Sequence, residues 1–286
     1  MWGKINRFVH SYTVLFAVLF GAFFTSALLI IAILIIGAPQ DGMPPSTGDL
    51  AVFTMIQMVL AGIIIWLMRK MKVFSADDFK HKNLGKGFLL GWIGIALPLA
   101  VFVLGFVQLP PSSLIQPNIP RLVVVILHPF IGTGLFEEVL FRGLILKLLL
   151  IKMGYTKKGI VAASVISSVI FALVHSVNAI VGTLEIATTI GQIVSATAMG
   201  LFYAALYLRT KNLWVPILLH GFTNLFAGQI FSAIVSQEVM LELLQNQVAA
   251  DMGGLIANTL LATVPALIAG IFLFRKVKPA EIADDA

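Results

Sequence analysis

Apolar residues in this chain do not alternate and do not recur with an amphipathic helical period. They run for about twenty residues at a time and are broken by short polar connections. Eight such runs are marked at 12–37, 50–68, 87–108, 122–150, 159–176, 187–208, 212–233 and 253–274. A helix of ~20 residues covers the ~30 Å hydrocarbon core of a bilayer. The pattern therefore predicts an all-α polytopic membrane protein, a bundle of about eight transmembrane helices. The fourth run is longer than one crossing needs, which predicts tilt, a break near His128-Pro129, or an end that protrudes, with Gly154 as its stop. The first run exceeds a signal-peptide core and reads as a retained helix.

The connections alternate in charge. Lys4 and Arg7 precede the first run; Arg69, Lys70, Lys72, Lys80, Lys82 and Lys86 follow the second. Lys147, Lys152, Lys157 and Lys158 follow the fourth, Arg209 and Lys211 the sixth, and Arg275, Lys276 and Lys278 the last. The intervening connections carry no Lys or Arg. The positive-inside rule then places both termini in the cytoplasm and favours an even number of crossings. Only Arg121 and Arg142 fall outside the pattern. Residues 238–251 read as either a short amphipathic helix on the outer surface or an ordinary loop. With no soluble domain or internal repeat, residues 1–286 form a single integral membrane domain.

Composition agrees with this reading. Hydrophobic residues make up 59% of the chain and charged ones 11%, and mean hydropathy is +1.01. The net charge of +6 follows membrane topology, so it implies no nucleic-acid partner; the bilayer itself is the expected partner. The chain has no cysteine, which excludes disulfides, thiolate metal sites and cysteine nucleophiles.

Against this background the segment GLFEEVLFRG, residues 134–143, places Glu137, Glu138 and Arg142 inside a span. Ionisable groups at the bilayer centre cost at least ~2.5–3.5 kcal/mol each on insertion scales, so they face a bundle interior or wet cavity and usually carry function. Glu138 and Arg142, four apart, share a helix face and can pair. Glu137 points about 100° away and lacks that partner, which suits it to proton transfer. The bland reading is a helix-fixing salt bridge with a spare glutamate bonded to a neighbouring helix. Three histidines also lie in spans: His175 at the end of FALVH, His220 at the start of HGFTN with Asn224 one turn later, and His128, read as a packing residue. Gln192 and Asn258 read as interhelical hydrogen-bonding residues.

No H-E-x-x-H pair and no G-x-S-x-G elbow occurs, and every aspartate lies in a predicted loop or tail. What remains for intramembrane chemistry is carboxylate, imidazole and amide. That set fits water activation with donors for an oxyanion. Depth raises a difficulty. Counted at ~1.5 Å per residue from the nearest basic residues, Glu137 lies ~15 Å from Lys147, His220 ~13 Å from Lys211 and His175 ~26 Å from Lys158. The three can meet only if the fifth helix projects from the membrane or tilts strongly.

EEVLFR, FALVH and HGFTN match E-E-x-x-x-R, F-x-x-x-H and H-x-x-x-N, in that order on separate spans. Over residues 120–230 the chain thus resembles the CPBP family, the CAAX prenyl proteases and bacteriocin-processing (Abi) proteins. The resemblance implies a glutamate-dependent intramembrane endopeptidase acting on a peptide or membrane-protein tail. Carried over by motif, Glu137 would activate water with help from His175, and His220 with Asn224 would stabilise the oxyanion. Glu138, Arg142 and Phe171 would support the site. Two glutamates and two histidines could in principle bind zinc; the Glu138–Arg142 pair uses one of those ligands, so no cofactor is expected. A non-catalytic scaffold or regulator of the same family, or a transporter, remains open. The expected location is a bacterial plasma membrane.

Overall fold

The computed structural model describes residues 12–36, 45–109, 111–116, 118–182, 184–236, 238–240, 242 and 252–283. Lys4, Arg7 and most of the segment 238–251 lie outside the described residues. Among the described residues every extended element is helical. In chain order these are α1 (Thr13–Ile36) and α2 (Thr47–Lys70), then α3 (Leu84–Gly91) and α4 (Ile93–Phe106), then α5 (Ile119–Met153) and α6 (Lys157–Ile180). There follow α7 (Ile186–Thr210), α8 (Trp214–Asn224), α9 (Met252–Arg275) and the short α10 (Pro279–Ala283).

Among the described residues six helices are long and apolar enough to cross a membrane, or seven if α3 and α4 form one span bent by 53°. The chain is therefore an all-α polytopic membrane protein of six to seven candidate spans. The expected run 212–233 is the one divided further. α8 passes into a π-helical turn at Leu225–Gln229 and a last turn at Phe231–Ile234. Gly228, with φ 147°, makes the kink, a backbone angle that side chains with a β-carbon rarely adopt.

Local chemistry sets the helix ends. The Ser46 hydroxyl accepts from the amide of Asp49 at the start of α2, and Asn118 does the same for Arg121 in α5. The Thr156 hydroxyl accepts from Gly159 to open α6. Each satisfies an amide that the first helical turn leaves without a partner. Gly154, with φ 81°, ends α5 as expected.

α5 does not break at His128-Pro129. It continues for 35 residues through two π-helical segments, His128–Gly134 and Val139–Leu146. A π segment adds a residue to the turn, so the ladder is rearranged where Pro129 has no amide to donate. Glu137 and Glu138 sit in the single α-helical turn between the two segments, Leu135–Glu138.

Loops gather at two ends. At one end Asn83 donates to the carbonyl of Thr210, and Asn212 to those of Lys80 and Lys82. Lys157 donates to the carbonyls of Phe274, Arg275 and Val277. At the other end Arg121, an exception to the charge pattern, donates to the carbonyls of Ser232 and Pro45. Leu114 and Val235 form an isolated bridge beside it.

α7 packs against both α6 and α9. The interior is filled by residues such as Met68, Leu140, Leu144, Ile145 and Leu149, while Leu34, Leu89, Ile180, Ile268 and Phe272 are exposed on the outside. Burial from water cannot drive association between apolar faces in lipid, so close packing and interhelical hydrogen bonds must do so. Gln192 behaves as expected and accepts from Asn178 across α6 and α7 at 2.8 Å.

Candidate active site

The glutamate turn of α5 meets α8 because Gly134, one turn earlier, lets the two backbones approach. A β-carbon there would lie 2.8 Å from the carbonyl oxygen of Ile217 and 2.7 Å from that of Pro129. This approach brings His220 onto the glutamates. His220 Nδ1 lies 2.8 Å from Glu138 Oε1, and its Nε2 lies 3.7 Å from Glu137 Oε2. Arg142 Nη1 donates to the same Glu138 oxygen at 2.8 Å, and Nη2 donates to the carbonyl of Gly200 on α7 at 3.1 Å.

Burial grades across the group. The side chains of Glu138 and Arg142 are 0% and 1% exposed, whereas that of Glu137 is 19% exposed. Glu138 is thus an enclosed carboxylate held by two cations or donors on one oxygen, and its Oε2 accepts no hydrogen bond from the described residues. The expected Glu138–Arg142 pair is present. Glu137 is less isolated than its place on the helix suggested, because His220 reaches toward both glutamates.

Aromatic rings wall the cluster. The Arg142 guanidinium lies 4.6 Å from the Phe171 ring centre and 5.5 Å from that of Tyr203, distances at which the π face attracts a cation. Tyr203 stacks on His220 at 5.1 Å, and its hydroxyl donates to Thr223, which donates in turn to backbone carbonyls of Leu219 and Gly94. Phe171 meets His220 edge-on at 5.9 Å and His175 edge-on at 5.3 Å. His175 Nδ1 lies 3.1 Å from the Phe171 carbonyl oxygen.

Glu137, Glu138, Arg142, Phe171 and His220 therefore form one cluster, and His175 adjoins it through Phe171. Asn224 is half-buried on the turn of α8 after His220 and makes no hydrogen bond to the cluster among the described residues. Tyr203, Thr223 and the carbonyl of Gly200 were not anticipated. Thr223 lies three residues after His220, a spacing that could have flagged it.

The depth difficulty disappears, for a physical reason. Lys147 is tucked into the bundle, in an ion pair with the buried Asp78, so it need not sit at a membrane edge. α5 continues to Met153 and turns back at once into α6. Counted from Gly154, Glu137 and His175 are 17 and 21 residues away on antiparallel helices, a difference of about 6 Å. Ser167 confirms the level by donating to the carbonyl of Phe141 at 3.0 Å. The fifth helix need neither project nor tilt strongly.

A second buried polar group lies on the first π segment. His128 Nδ1 is 2.9 Å from the Thr54 hydroxyl and its Nε2 is 3.3 Å from that of Thr133, to which Gln57 donates at 3.2 Å. His128 is a satisfied packing residue that ties α5 to α2. Among the described residues no group of three or more His, Asp or Glu side chains is arranged to hold a metal ion.

Comparison with known proteins follows the same part of the chain. The family model for type II CAAX prenyl endopeptidases, Rce1-like, matches residues 119–226. Over 104 residues, 36% of this chain, the sequence is 35% identical to the putative membrane peptidase YdiL of Bacillus subtilis (strain 168). That match covers 35% of the relative's length. No solved structure matches. The matched segment contains the whole cluster from Glu137 to His220, and residues 119–226 of this membrane protein are a Rce1-like domain of the CAAX-protease (CPBP/Abi) superfamily.

Proposed function

We propose that the chain is an intramembrane endopeptidase in which a glutamate activates water to cleave a peptide or a membrane-protein tail. One observation carries the reading: within the matched segment, a partly exposed Glu137 stands beside a fully buried Glu138–Arg142 pair, and His220 reaches both carboxylates. In this reading Glu137 takes a proton from water as the oxygen attacks the scissile carbonyl, and later delivers it to the leaving nitrogen. His175 orients that water, and His220 and Asn224 donate to the oxyanion. To donate to the oxyanion from Nε2 while Nδ1 donates to Glu138, His220 must carry both ring protons. Arg142 holds the Glu138 carboxyl group in place against His220. Positioned general bases contribute ~10²–10⁴-fold to rate.

The same proposal includes eight crossings with both termini in the cytoplasm of a bacterium. Its support is the gathering of the basic connections at one end of the bundle. The test compares peptide fragments in membranes carrying wild type or Glu137→Gln at matched protein levels. Fragment production should fall by at least ~10²-fold in the variant. Unchanged fragments from a folded variant would refute the peptidase and favour a scaffold.

A further inference from the structure

Tyr203 belongs to none of the three motifs, yet it touches both groups that hold the buried glutamate. Glu138 Oε1 has two partners, Arg142 Nη1 and His220 Nδ1, each at 2.8 Å. The Tyr203 ring centre lies 5.5 Å from the Arg142 guanidinium, and the ring stacks on that of His220 at 5.1 Å with 23° between the planes. One turn earlier on α7, the Gly200 carbonyl accepts from Arg142 Nη2 at 3.1 Å. A β-carbon at Gly200 would lie 2.9 Å from Ser168 Cβ, so glycine there lets α7 close on α6, which carries Phe171. A single turn of α7 thus presents a carbonyl to one partner of Glu138 and a ring to both.

The hydroxyl decides what kind of group Tyr203 is. The Thr223 hydroxyl has one proton, and its neighbours on Leu219 and Gly94, 3.0 and 3.3 Å away, are carbonyls that can only accept. That proton is spent on them, so the Thr223 oxygen accepts from Tyr203 at 2.9 Å. The phenol proton is thereby committed to Thr223 and is not offered to His220 or to a substrate. Tyr203 lies on α7, Thr223 on α8 and Gly94 on α4, so the buried ring is tethered where three helices meet.

His220 needs such a wall because of its own bonds. Contact through Nδ1 fixes one point of the imidazole, whereas Nε2 lies 3.7 Å from Glu137 Oε2, beyond hydrogen-bond length. Among the described residues no hydrogen bond fixes that far side of the ring. A parallel aromatic face restricts the imidazole to one plane; Phe171, which meets it edge-on at 5.9 Å, does not lie parallel to it. We infer that Tyr203 is a positioning residue: its ring, tethered through Thr223, sets the plane of His220 and hence the direction in which Nε2 faces Glu137 and a bound substrate. It acts through His220 and takes no part in proton transfer. The inference deepens the peptidase reading, and its catalytic consequence rests on that reading.

The test has two arms, and the first needs no activity. In the full chain with isotopically labelled histidine, in detergent, the His220 Nδ1 proton should resonate far downfield and exchange slowly, its assignment checked by its loss in His220→Gln. The signal should persist in Tyr203→Phe, which keeps the ring, and broaden or vanish in Tyr203→Met, which does not. In the second arm Tyr203→Met should lower kcat for peptide cleavage by about 10²-fold, the cost of a misplacement of about 1 Å, with little change in KM. Tyr203→Phe and Thr223→Val should each cost about tenfold or less, and their combination no more than either, because both remove one hydrogen bond. The inference is overturned by an unchanged signal in Tyr203→Met, by no such signal in wild type, or by a loss of kcat in Tyr203→Phe as large as in Tyr203→Met. If Tyr203→Met does not fold, exchange of the same proton in Tyr203→Phe, Thr223→Val and the double variant decides: additive effects, or none, overturn the tether. Wild type that cleaves nothing would sink the peptidase reading and leave the first arm to decide on Tyr203.

Discussion

Replacing Arg142 by methionine should be among the most damaging single changes in the chain. The guanidinium supplies one of the two partners of Glu138 Oε1, donates to the Gly200 carbonyl, and lies over Phe171 and Tyr203. Methionine keeps most of the volume, so the loss is electrostatic rather than a cavity. It would leave a carboxylate at 0% exposure with His220 as its remaining partner among the described residues. Removing one member of a buried ion pair costs about 3–5 kcal/mol, because the other charge stays desolvated. In the double variant Glu138→Gln/Arg142→Met that charge is gone. The residual cost is then two lost hydrogen bonds, about 1–3 kcal/mol in total. The double variant should therefore be more stable than Arg142→Met alone by about 2 kcal/mol. Equilibrium unfolding in mixed micelles with a rising fraction of ionic detergent measures both. A cost below ~1 kcal/mol for Arg142→Met, or a double variant no more stable than the single, would show that Arg142 does not hold Glu138 as described.

Two further outcomes are expected. Gly134→Ala should destabilise by about 1–3 kcal/mol and abolish fragment production, because the new methyl meets backbone oxygens of both Pro129 and Ile217; wild-type stability and activity in this variant would contradict the close approach of α5 and α8. Tyr155, whose pKa burial raises, should ionise above the ordinary range near ~10 in an ultraviolet difference titration against Tyr155→Phe. Between its unfolded and folded pKa values the unfolded chain has lost that proton and the folded chain has not, so stability should fall as pH rises through that window. A titration at or below the ordinary value would remove the burial argument.

The all-α membrane-spanning character and the buried Glu138–Arg142 pair were legible in the sequence, because each rests on a rule of spacing or solvation cost. Other features were not. Two π segments in α5 reset the angle at which Glu137 and Glu138 face α8, and such insertions leave no simple periodic mark. The depth of His175 was misjudged because Lys147 looked like a residue at the membrane edge. Its partner Asp78 is 69 residues away in sequence, and a long-range ion pair that draws a lysine inward cannot be read from local charge. His220 was given an oxyanion role by the resemblance, and its contact with Glu138 was not anticipated; that contact depends on Gly134, whose role is visible only once two backbones are side by side.

The Asp78 contacts have a mechanical meaning as well. The side chain pairs with Lys147 of α5 and accepts from Tyr207 of α7, while its backbone carbonyl accepts from Leu213 immediately before α8. Three helices are thereby pinned at one point, and they are the helices that carry the glutamates, the Gly200 carbonyl and His220. Sliding any one of them along another would break a buried ionic or hydrogen-bonded contact. α1 and α9, less enclosed by the rest of the chain than the other spans, are not tied at that pin. Any widening that admits a long substrate from the bilayer is therefore expected to be a displacement of the outer helices around a stationary frame, with the distances among Glu137, Glu138 and His220 preserved throughout.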